Sequence, residues 1–180
     1  MKNSFRTLTL AGVKHSGKST LGRSLAQRCG VKFYDADDVL AAEQSLSIRE
    51  LFRAVGQEKF RELEAQTVGQ LAELDEDKVI SLGGGAVTNA FISEDTWRTL
   101  GVKIMIDISD ETAQARVFAN GVPAYLEKYS DPAAALKEIN AVRRQEMKKR
   151  CDVIYVADAA LSAGEQSERF CAFLKERSIL

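Results

Sequence analysis

The chain has 180 residues, of which 45% are hydrophobic and 28% are charged, and its formal net charge is -1. This length suits one domain over residues 1–180, the small net charge argues against a nucleic-acid partner, and no apolar stretch reaches the roughly 20 residues of a membrane span. Because the chain lacks a signal-peptide core, we expect it to be cytoplasmic. Because its cysteines are far apart and odd in number, we expect free thiols at Cys29, Cys151 and Cys171. A monomer is expected as well, although the sequence does not reveal the oligomeric state.

Signals for strands and helices alternate from one end of the chain to the other. Short apolar runs end at glycine or polar residues, and amphipathic segments separate them. This alternation predicts an α/β fold of three layers, in which a five-stranded parallel sheet carries helices on both faces. Gly121 and Pro123 interrupt the helical pattern, so residues 119–131 are predicted to form a lid. The predicted strands are 5–11, 31–34, 78–82, 102–108 and 153–156, and the predicted helices include 21–29, 47–56, 57–74, 110–119 and 131–150.

The clearest motif is the segment 12–19, Gly-Val-Lys-His-Ser-Gly-Lys-Ser, which matches G-x-x-x-x-G-K-S at every fixed position. It lies between a predicted strand and a predicted helix, where backbone N–H groups can surround phosphate oxygens. Lys18 would neutralise the β- and γ-phosphates, and the Ser19 hydroxyl would coordinate Mg²⁺. A plain glycine-rich turn would not need the complete spacing. We therefore predict a P-loop that binds ATP and Mg²⁺.

The other nucleotide contacts are assigned by their position in this loop. His15 occupies a free position of the motif, and we do not interpret it as a general base. The predicted nucleotide-binding residues of the loop are Gly12, His15, Ser16, Gly17, Lys18, Ser19 and Thr20.

Two carboxylates, Asp35 and Asp37, directly follow the second predicted strand. The carboxyl ends of parallel strands face the ligand crevice, so both side chains can reach it. Asp35 would hold a Mg²⁺-bound water, and Asp37 would accept the proton of an attacking hydroxyl. As an alternative, Asp37 would only cap the next helix. Beside a P-loop we favour the functional interpretation, with Lys18 and Asp37 as catalytic residues.

Three consecutive glycines, Gly83 to Gly85, end the third predicted strand. They would bring bare backbone close to a ligand, but a turn that needs positive φ angles would explain them equally well. The same strand carries Ser81 and no carboxylate, which makes Asp35 the favoured carboxylate near Mg²⁺.

Four arginines are candidate anchors, because a guanidinium can bind a carboxylate or a phosphate through two parallel hydrogen bonds. Most arginines, however, are solvated surface residues, and residues 143–150 have the composition of a solvated helix face. The four are Arg61, Arg116, Arg143 and Arg144.

Taken together, these segments resemble the shikimate kinases over almost the whole chain. The resemblance rests on the P-loop and on residues 33–37, 56–64 and 81–87, in that order and spacing. It implies a sheet of the nucleoside-monophosphate-kinase type and phosphorylation of the 3-hydroxyl of shikimate by ATP, a step of aromatic amino-acid biosynthesis. It also implies that Arg116 lies against the adenine. The acceptor-binding residues that it implies are Asp37, Arg61, Gly83, Gly84, Gly85 and Arg143.

The chain departs from this family pattern in two places. In the family, a lid arginine stands directly before a proline and reaches the transferring phosphate, whereas here Val122 precedes Pro123. The arginine of the last long helix is usually followed by a proline and a tyrosine, and Arg143 is followed by neither. We therefore expect reduced turnover, with Arg116 and Lys128 as the nearest substitutes for the missing charge.

Three functions stay open at this stage. They are an active shikimate kinase, a kinase of another small hydroxy acid, and a nucleotide- or metabolite-binding module with little turnover. Arg61, Arg143 and the glycine triplet favour the first, while Val122 argues against rapid catalysis. A nucleoside-monophosphate kinase is less favoured, because the sequence does not place the phosphate-binding arginines that its acceptor needs.

Overall fold

The computed structural model describes residues 6–119 and 121–180. Phe5, the first residue of a predicted strand, and Asn120 in the predicted lid lie outside the described residues. The strands are β1 (Thr7–Ala11), β2 (Lys32–Asp35), β3 (Lys78–Ser81), β4 (Val102–Asp107) and β5 (Val153–Val156). They form one sheet in the order β2-β3-β1-β4-β5, and every neighbouring pair is parallel.

Helices occupy the connections between the strands. The first four are α1 (Lys18–Cys29), α2 (Ala36–Gln44), α3 (Ile48–Glu73) and α4 (Glu94–Thr99). They are followed by α5 (Asp110–Phe118), α6 (Pro132–Arg150) and α7 (Ala163–Glu176). The two predicted helices 47–56 and 57–74 join as α3, and the break predicted at Gly56 survives as a kink with φ of 77°. The sequence analysis did not predict α4 or α7.

Apolar cores lie on both faces of the sheet. On one face, α1 and α7 pack against β1 and β4 through residues such as Leu25, Phe170 and Leu10. On the other face, α3, α4 and α6 contribute residues such as Val68 and Trp97. This arrangement confirms the predicted class, a three-layer α/β fold with a five-stranded parallel sheet. Within the described residues no helix combines the length and the hydropathy that a bilayer crossing requires.

The start of α2 brings the two predicted carboxylates to the carboxyl edge of the sheet. Asp35 is the helix cap, since its carboxylate accepts a hydrogen bond from the Asp37 backbone N–H at 3.1 Å. The alternative role of Asp37 as a cap is therefore wrong. The Asp37 side chain instead lines a cavity, which leaves it available for chemistry.

Candidate active site

The P-loop connects β1 to α1 and is shaped by close packing. A Cβ atom at Gly12 would lie 2.5 Å from the Ser16 hydroxyl oxygen and 2.6 Å from the Ile106 carbonyl oxygen. Gly17 has a φ of 99° and caps α1, a conformation that residues with a side chain rarely adopt. The loop backbone and the first turn of α1 therefore suit a cradle of N–H groups for phosphate.

Lys18 lies across this cradle. Its ammonium group donates hydrogen bonds to the carbonyl oxygens of Gly12 at 3.0 Å and Val13 at 3.1 Å. Burial lowers the pKa of Lys18 to about 8, against the opposing effect of Asp37 and Asp35. The lysine is thus a partly desolvated cation, held where phosphate oxygens would bind.

Oxygen donors suited to Mg²⁺ lie beside the cradle. The Ser19 hydroxyl donates to the Asp35 carboxylate and lies 3.5 Å from the Ser81 hydroxyl, because Asp35 and Ser81 are register partners in neighbouring strands. The described residues hold no cluster of three or more His, Cys, Asp and Glu side chains that would bind a metal by itself. One hydroxyl and one carboxylate nevertheless suit Mg²⁺, which usually keeps several waters and shares substrate phosphates.

The other predicted nucleotide contacts surround the loop. Thr20 is exposed in the first turn of α1. His15 has a positive φ of 59°, and its backbone carbonyl accepts a hydrogen bond from Arg116 at 3.2 Å. Burial, together with Lys14 and other neighbouring cations, lowers the pKa of His15. Arg116 therefore lies against the P-loop at His15.

The glycine triplet packs against the charged side chains of the site. A Cβ atom at Gly83 would lie 2.7 Å from Asp37 Oδ1 and 2.6 Å from Glu64 Oε1, and one at Gly85 would lie 2.5 Å from Arg61 Nη1. A Cβ atom at residue 84 would lie 3.0 Å from the backbone nitrogen of the P-loop residue 14. None of the three glycines has a positive φ angle. Close approach, and not turn conformation, explains why this segment consists of glycine.

A cavity of about 790 Å³ opens between the P-loop, α3, the lid and α6. This volume lies within the range of small-molecule sites. Phe52 and Phe60 give the cavity an aromatic wall from α3. The predicted site residues that line it are His15, Asp37, Arg61, Gly84, Gly85 and Arg143.

Asp37 occupies the end of the cavity nearest the P-loop. Burial raises its pKa to about 6, with further contributions from the negative charges of Glu64 and Asp35, while Lys18 and Lys14 lower it. A carboxylate with a pKa near neutrality suits a proton acceptor, because it is ionised at working pH and still basic enough to take a proton.

Glu64 is a candidate functional residue that the sequence analysis did not single out. Its carboxylate is buried, accepts a hydrogen bond from Arg61 at 2.8 Å and accepts another from the Asn89 amide at 2.9 Å. These contacts hold the Arg61 guanidinium against Gly85. The three-residue spacing between Arg61 and Glu64 on one helix was the available signal, because such residues share a face.

Arg143 reaches the cavity from α6. Its residue surface is only 7% exposed, its guanidinium carbon lies 5.3 Å from the centre of the Tyr125 ring, and burial lowers its pKa. Its Nε atom has no hydrogen-bond partner among the described residues. A buried, unpartnered guanidinium nitrogen at a cavity wall indicates an anionic ligand, because burying such a group without a partner is costly.

The neighbouring Arg144 points elsewhere. It bonds to the Asp107 carboxylate at 2.9 Å, to the carboxylate of Asp110 and to the Ile108 carbonyl oxygen at 2.8 Å. These contacts join α6 to β4 and α5. Of the two adjacent arginines, only Arg143 lines the cavity.

The lid contributes an apolar wall to the cavity at Val122, where the sequence departs from the family pattern. Val122 lines the cavity and packs against the cluster that includes Leu126 and Leu136. Its backbone carbonyl accepts a hydrogen bond from Arg49 at 3.0 Å, and the same guanidinium binds Glu127 at 2.7 Å. The lid is therefore tied to α3 by surface charges.

Known proteins resemble this chain in sequence. The family model for shikimate kinase matches residues 14–175. The chain belongs to the shikimate kinase family. A shikimate kinase of Synechococcus sp. (strain RCC307) is 35% identical over 164 residues, which cover 90% of this chain and 80% of that protein. The chain is accordingly a small-molecule kinase, and ATP is the phosphoryl donor of its family.

Solved structures of the family share the fold. Shikimate kinase from Aquifex aeolicus has a TM-score of 0.77 at 27% identity and covers 96% of this chain and 98% of its own. Shikimate kinase from Acinetobacter baumannii, solved in complex with shikimate, has a TM-score of 0.85 at 20% identity and covers 97% and 96%. These likenesses extend over nearly the whole chain.

Proposed function

We propose that this chain transfers the γ-phosphoryl group of ATP to the 3-hydroxyl of shikimate, a carboxylate-bearing metabolite. The observation that carries the proposal is the position of Arg143, a buried cation with an unpartnered Nε atom, in the same cavity as Arg61 and Asp37. This combination suits an acceptor with a carboxylate at one end and a reacting hydroxyl at the other. The relatives named shikimate kinase support the choice of acceptor.

At the nucleotide end, we assign the phosphates to the P-loop. Ser16, Gly17 and Thr20 would contribute contacts to the phosphates, and Lys18 would neutralise phosphate charge. Ser19 and Asp35 would hold Mg²⁺, Ser19 directly and Asp35 through a bound water, and the metal would neutralise charge on the phosphates. Arg116, which contacts the loop at His15, would lie against the adenine.

At the acceptor end, Arg61 and Arg143 would bind the carboxylate. Gly84 and Gly85 line the same cavity and would contact the ring, with Gly83 packed against the Asp37 and Glu64 carboxylates. Glu64 would act as a positioning residue, since it orients the Arg61 guanidinium and lies beside Gly83.

In the proposed reaction, Asp37 accepts the proton of the acceptor hydroxyl. The acceptor hydroxyl oxygen forms a bond to the γ-phosphorus while the bond between that phosphorus and the β,γ-bridging oxygen breaks, which releases ADP. The hydroxyl proton passes to the Asp37 carboxylate, whose pKa of about 6 suits this role. Because Val122 brings no charge to the lid, we expect slower turnover than in an enzyme with an arginine there.

A coupled assay of ADP release tests this assignment. The purified protein would be assayed with ATP, Mg²⁺ and, in turn, shikimate, quinate, gluconate and an ATP-only blank. We expect acceptor-dependent ADP release with the highest kcat/KM for shikimate. A higher kcat/KM for another hydroxy acid would reassign the substrate, and ADP release that no acceptor stimulates would reject the kinase assignment.

The apolar packing of Val122 favours a second candidate, a binding module with little turnover. Titration calorimetry separates the two, since a module would bind ATP and shikimate with no ADP release in the coupled assay. The single domain, the monomeric state and the cytoplasmic location stay predictions from the sequence.

A further inference from the structure

Residues 121–125 of the lid carry no cation, and Lys128 is the lid cation among the residues that line the cavity. Among residues 121–125, the side chains that line the cavity come from Val122, Pro123, Ala124 and Tyr125. A transferring phosphoryl group spreads negative charge over its oxygens, and positive charge around those oxygens lowers the barrier. A chain active as a kinase would therefore draw this charge from another side of the cavity.

Most cations of the cavity are already engaged at other points. Arg61 binds Glu64 at 2.8 Å, Arg49 binds Glu127 at 2.7 Å, and Arg143 lies over Tyr125. These contacts hold Arg61 at the acceptor end, Arg49 at the lid surface and Arg143 at the wall formed by α6. The ammonium of Lys128 lies 5.3 Å from the centre of the Tyr129 ring.

Lys14 lies between the two halves of the site. It belongs to the P-loop itself, its backbone nitrogen lies against Gly84, and its side chain lines the cavity. It lines the same cavity as Asp37 and lies four residues before Lys18 in the P-loop, and its charge lowers the pKa of both groups. Its ammonium makes no hydrogen bond or ion pair with any residue in the part of the chain that the structure describes.

The position and the chemistry of Lys14 suit the binding of a phosphoryl group. An ammonium is a compact point charge with three donors, which suits phosphate oxygens. Lys14 and Asp37 line the same cavity, so the lysine side chain borders the space in which the phosphoryl group would be transferred. We propose that Lys14 is a catalytic residue that binds the transferring phosphoryl group and replaces part of the charge absent from the lid. This inference rests on the proposed kinase function.

The first test compares Lys14→Met with Lys14→Arg and with Lys148→Met, a control at an exposed position on α6. With ATP, Mg²⁺ and shikimate, Lys14→Met should lower kcat on the order of 10²-fold, as expected for one lost transition-state donor. The KM values should change little, Lys14→Arg should keep most of kcat, and Lys148→Met should match wild type. Thermal unfolding would verify that all four proteins are folded.

A binding measurement gives a readout other than turnover. Calorimetry would compare ADP and Mg²⁺ alone with ADP, Mg²⁺, shikimate and aluminium fluoride, a planar mimic of the transferring group. Lys14→Met should weaken the aluminium fluoride complex about tenfold or more, while ADP affinity should change less than about threefold. Equal losses for both ligands would overturn the proposal, because they would indicate a general nucleotide contact.

A double-mutant cycle with the lid tests whether the two positions substitute for each other. Val122→Arg should raise kcat more in the Lys14→Met background than in wild type, because one added cation then replaces another. Equal gains in the two backgrounds would overturn the proposal.

The controls separate this inference from the function on which it rests. An active wild type with an unimpaired Lys14→Met variant would reject the role of Lys14 alone. A wild type without shikimate-dependent turnover would reject the proposed function, and with it this inference. A larger loss of kcat in Lys128→Met than in Lys14→Met would overturn the proposal, because the stabilising charge would then come from the lid.

Discussion

The phosphate cradle and the acceptor cavity meet at Asp37, but they are built in different ways. The proposed cradle is formed by residues 12–20, a contiguous segment that would bind phosphate through its backbone N–H groups and Lys18. The acceptor cavity combines side chains from α3, the glycine segment, the lid and α6. A binding site made of local backbone can be predicted from a short motif, whereas one made of distant side chains depends on how the helices pack.

The two regions also differ in where their positive charge lies. The P-loop carries Lys14 and Lys18, while the central part of the lid is apolar around Val122. Catalysis should therefore depend strongly on the P-loop side and on Asp37, and weakly on the lid. Substitutions on the two sides of the site should therefore differ in their effect on kcat.

The largest expected loss follows Asp37→Asn, which removes the proton acceptor and keeps the shape of the side chain. Positioned acid–base groups contribute about 10²–10⁴-fold, so kcat should fall by a factor in this range. ATP affinity, measured by calorimetry, should stay near wild type. Asp38→Asn, an exposed neighbour on α2, is the matched control, and a near-native kcat in Asp37→Asn would remove Asp37 from the chemistry.

The pH profile checks the same assignment in the wild type. The pKa of Asp37 is raised to about 6, and the reaction needs the ionised form, so kcat/KM should fall as pH decreases below about 6. Asp37→Asn should lose this acid limb. Persistence of the limb in the variant would assign it to another group.

Lys18→Ala removes the cation that lies across the cradle. Loss of one donor to developing charge typically lowers kcat by about 10²–10³-fold, and ATP affinity should fall as well. Titration with ATP and steady-state kinetics would measure both, with Lys148→Ala as a control. Unchanged ATP affinity and activity would contradict the central interpretation of the P-loop.

At the acceptor end, Arg143→Ala and Arg61→Ala should each raise the KM for shikimate about tenfold to a hundredfold. This range follows from about 1.5–3 kcal/mol for a hydrogen bond to a charged group. The KM for ATP should change less. Arg144→Ala is the control beside Arg143. It should lower the free energy of unfolding with little change in KM, because its partners Asp107 and Asp110 lie away from the cavity. Equal losses for both substrates would indicate damage to the fold.

Val122→Arg should raise kcat for shikimate phosphorylation about tenfold or more in an otherwise wild-type chain. The gain is smaller than the 10³–10⁵-fold that an arginine can contribute, because Lys14 already supplies part of the charge. Val122→Gln, which adds a long uncharged side chain, is the control. A gain of the same size in the glutamine variant would attribute the effect to lid packing.

The smallest effect is expected for Glu127→Gln, which removes the charge that ties the lid to Arg49 and Arg53. These side chains are largely exposed, so KM for shikimate should change by less than about fivefold. Hydrogen exchange of the lid backbone should become faster, with Glu62→Gln on α3 as a control. A loss of kcat comparable with that of Asp37→Asn would mean that the lid controls chemistry and would contradict the expected difference between the two sides of the site.

Much of the fold was predictable from the sequence because the alternation of strands and helices is regular. The order of the five strands was not, since it depends on which apolar faces pack together. The helix α7 was missed, although Ser162 and Glu165 form a capping box at its start. That signal was present in the sequence and was not used.

The candidate site was also predictable only in part. The sequence located the P-loop and the carboxylates, and it left open whether the glycines at 83–85 serve a turn or a close approach. Only the packed structure shows them against Asp37, Glu64 and Arg61. Spacing alone also did not separate Arg143 from Arg144, because adjacent helix residues point about 100° apart and the packing of α6 determines which one is buried.

The most direct test of the central claim is the identity of the product that the wild-type protein makes from ATP, Mg²⁺ and shikimate. Proton and phosphorus NMR of the reaction mixture would locate the new ester by its phosphorus coupling. We predict one product with the phosphate on the 3-oxygen, formed in equal amount with ADP. A phosphate on another hydroxyl, or ADP formed without a phosphorylated acceptor, would contradict the account.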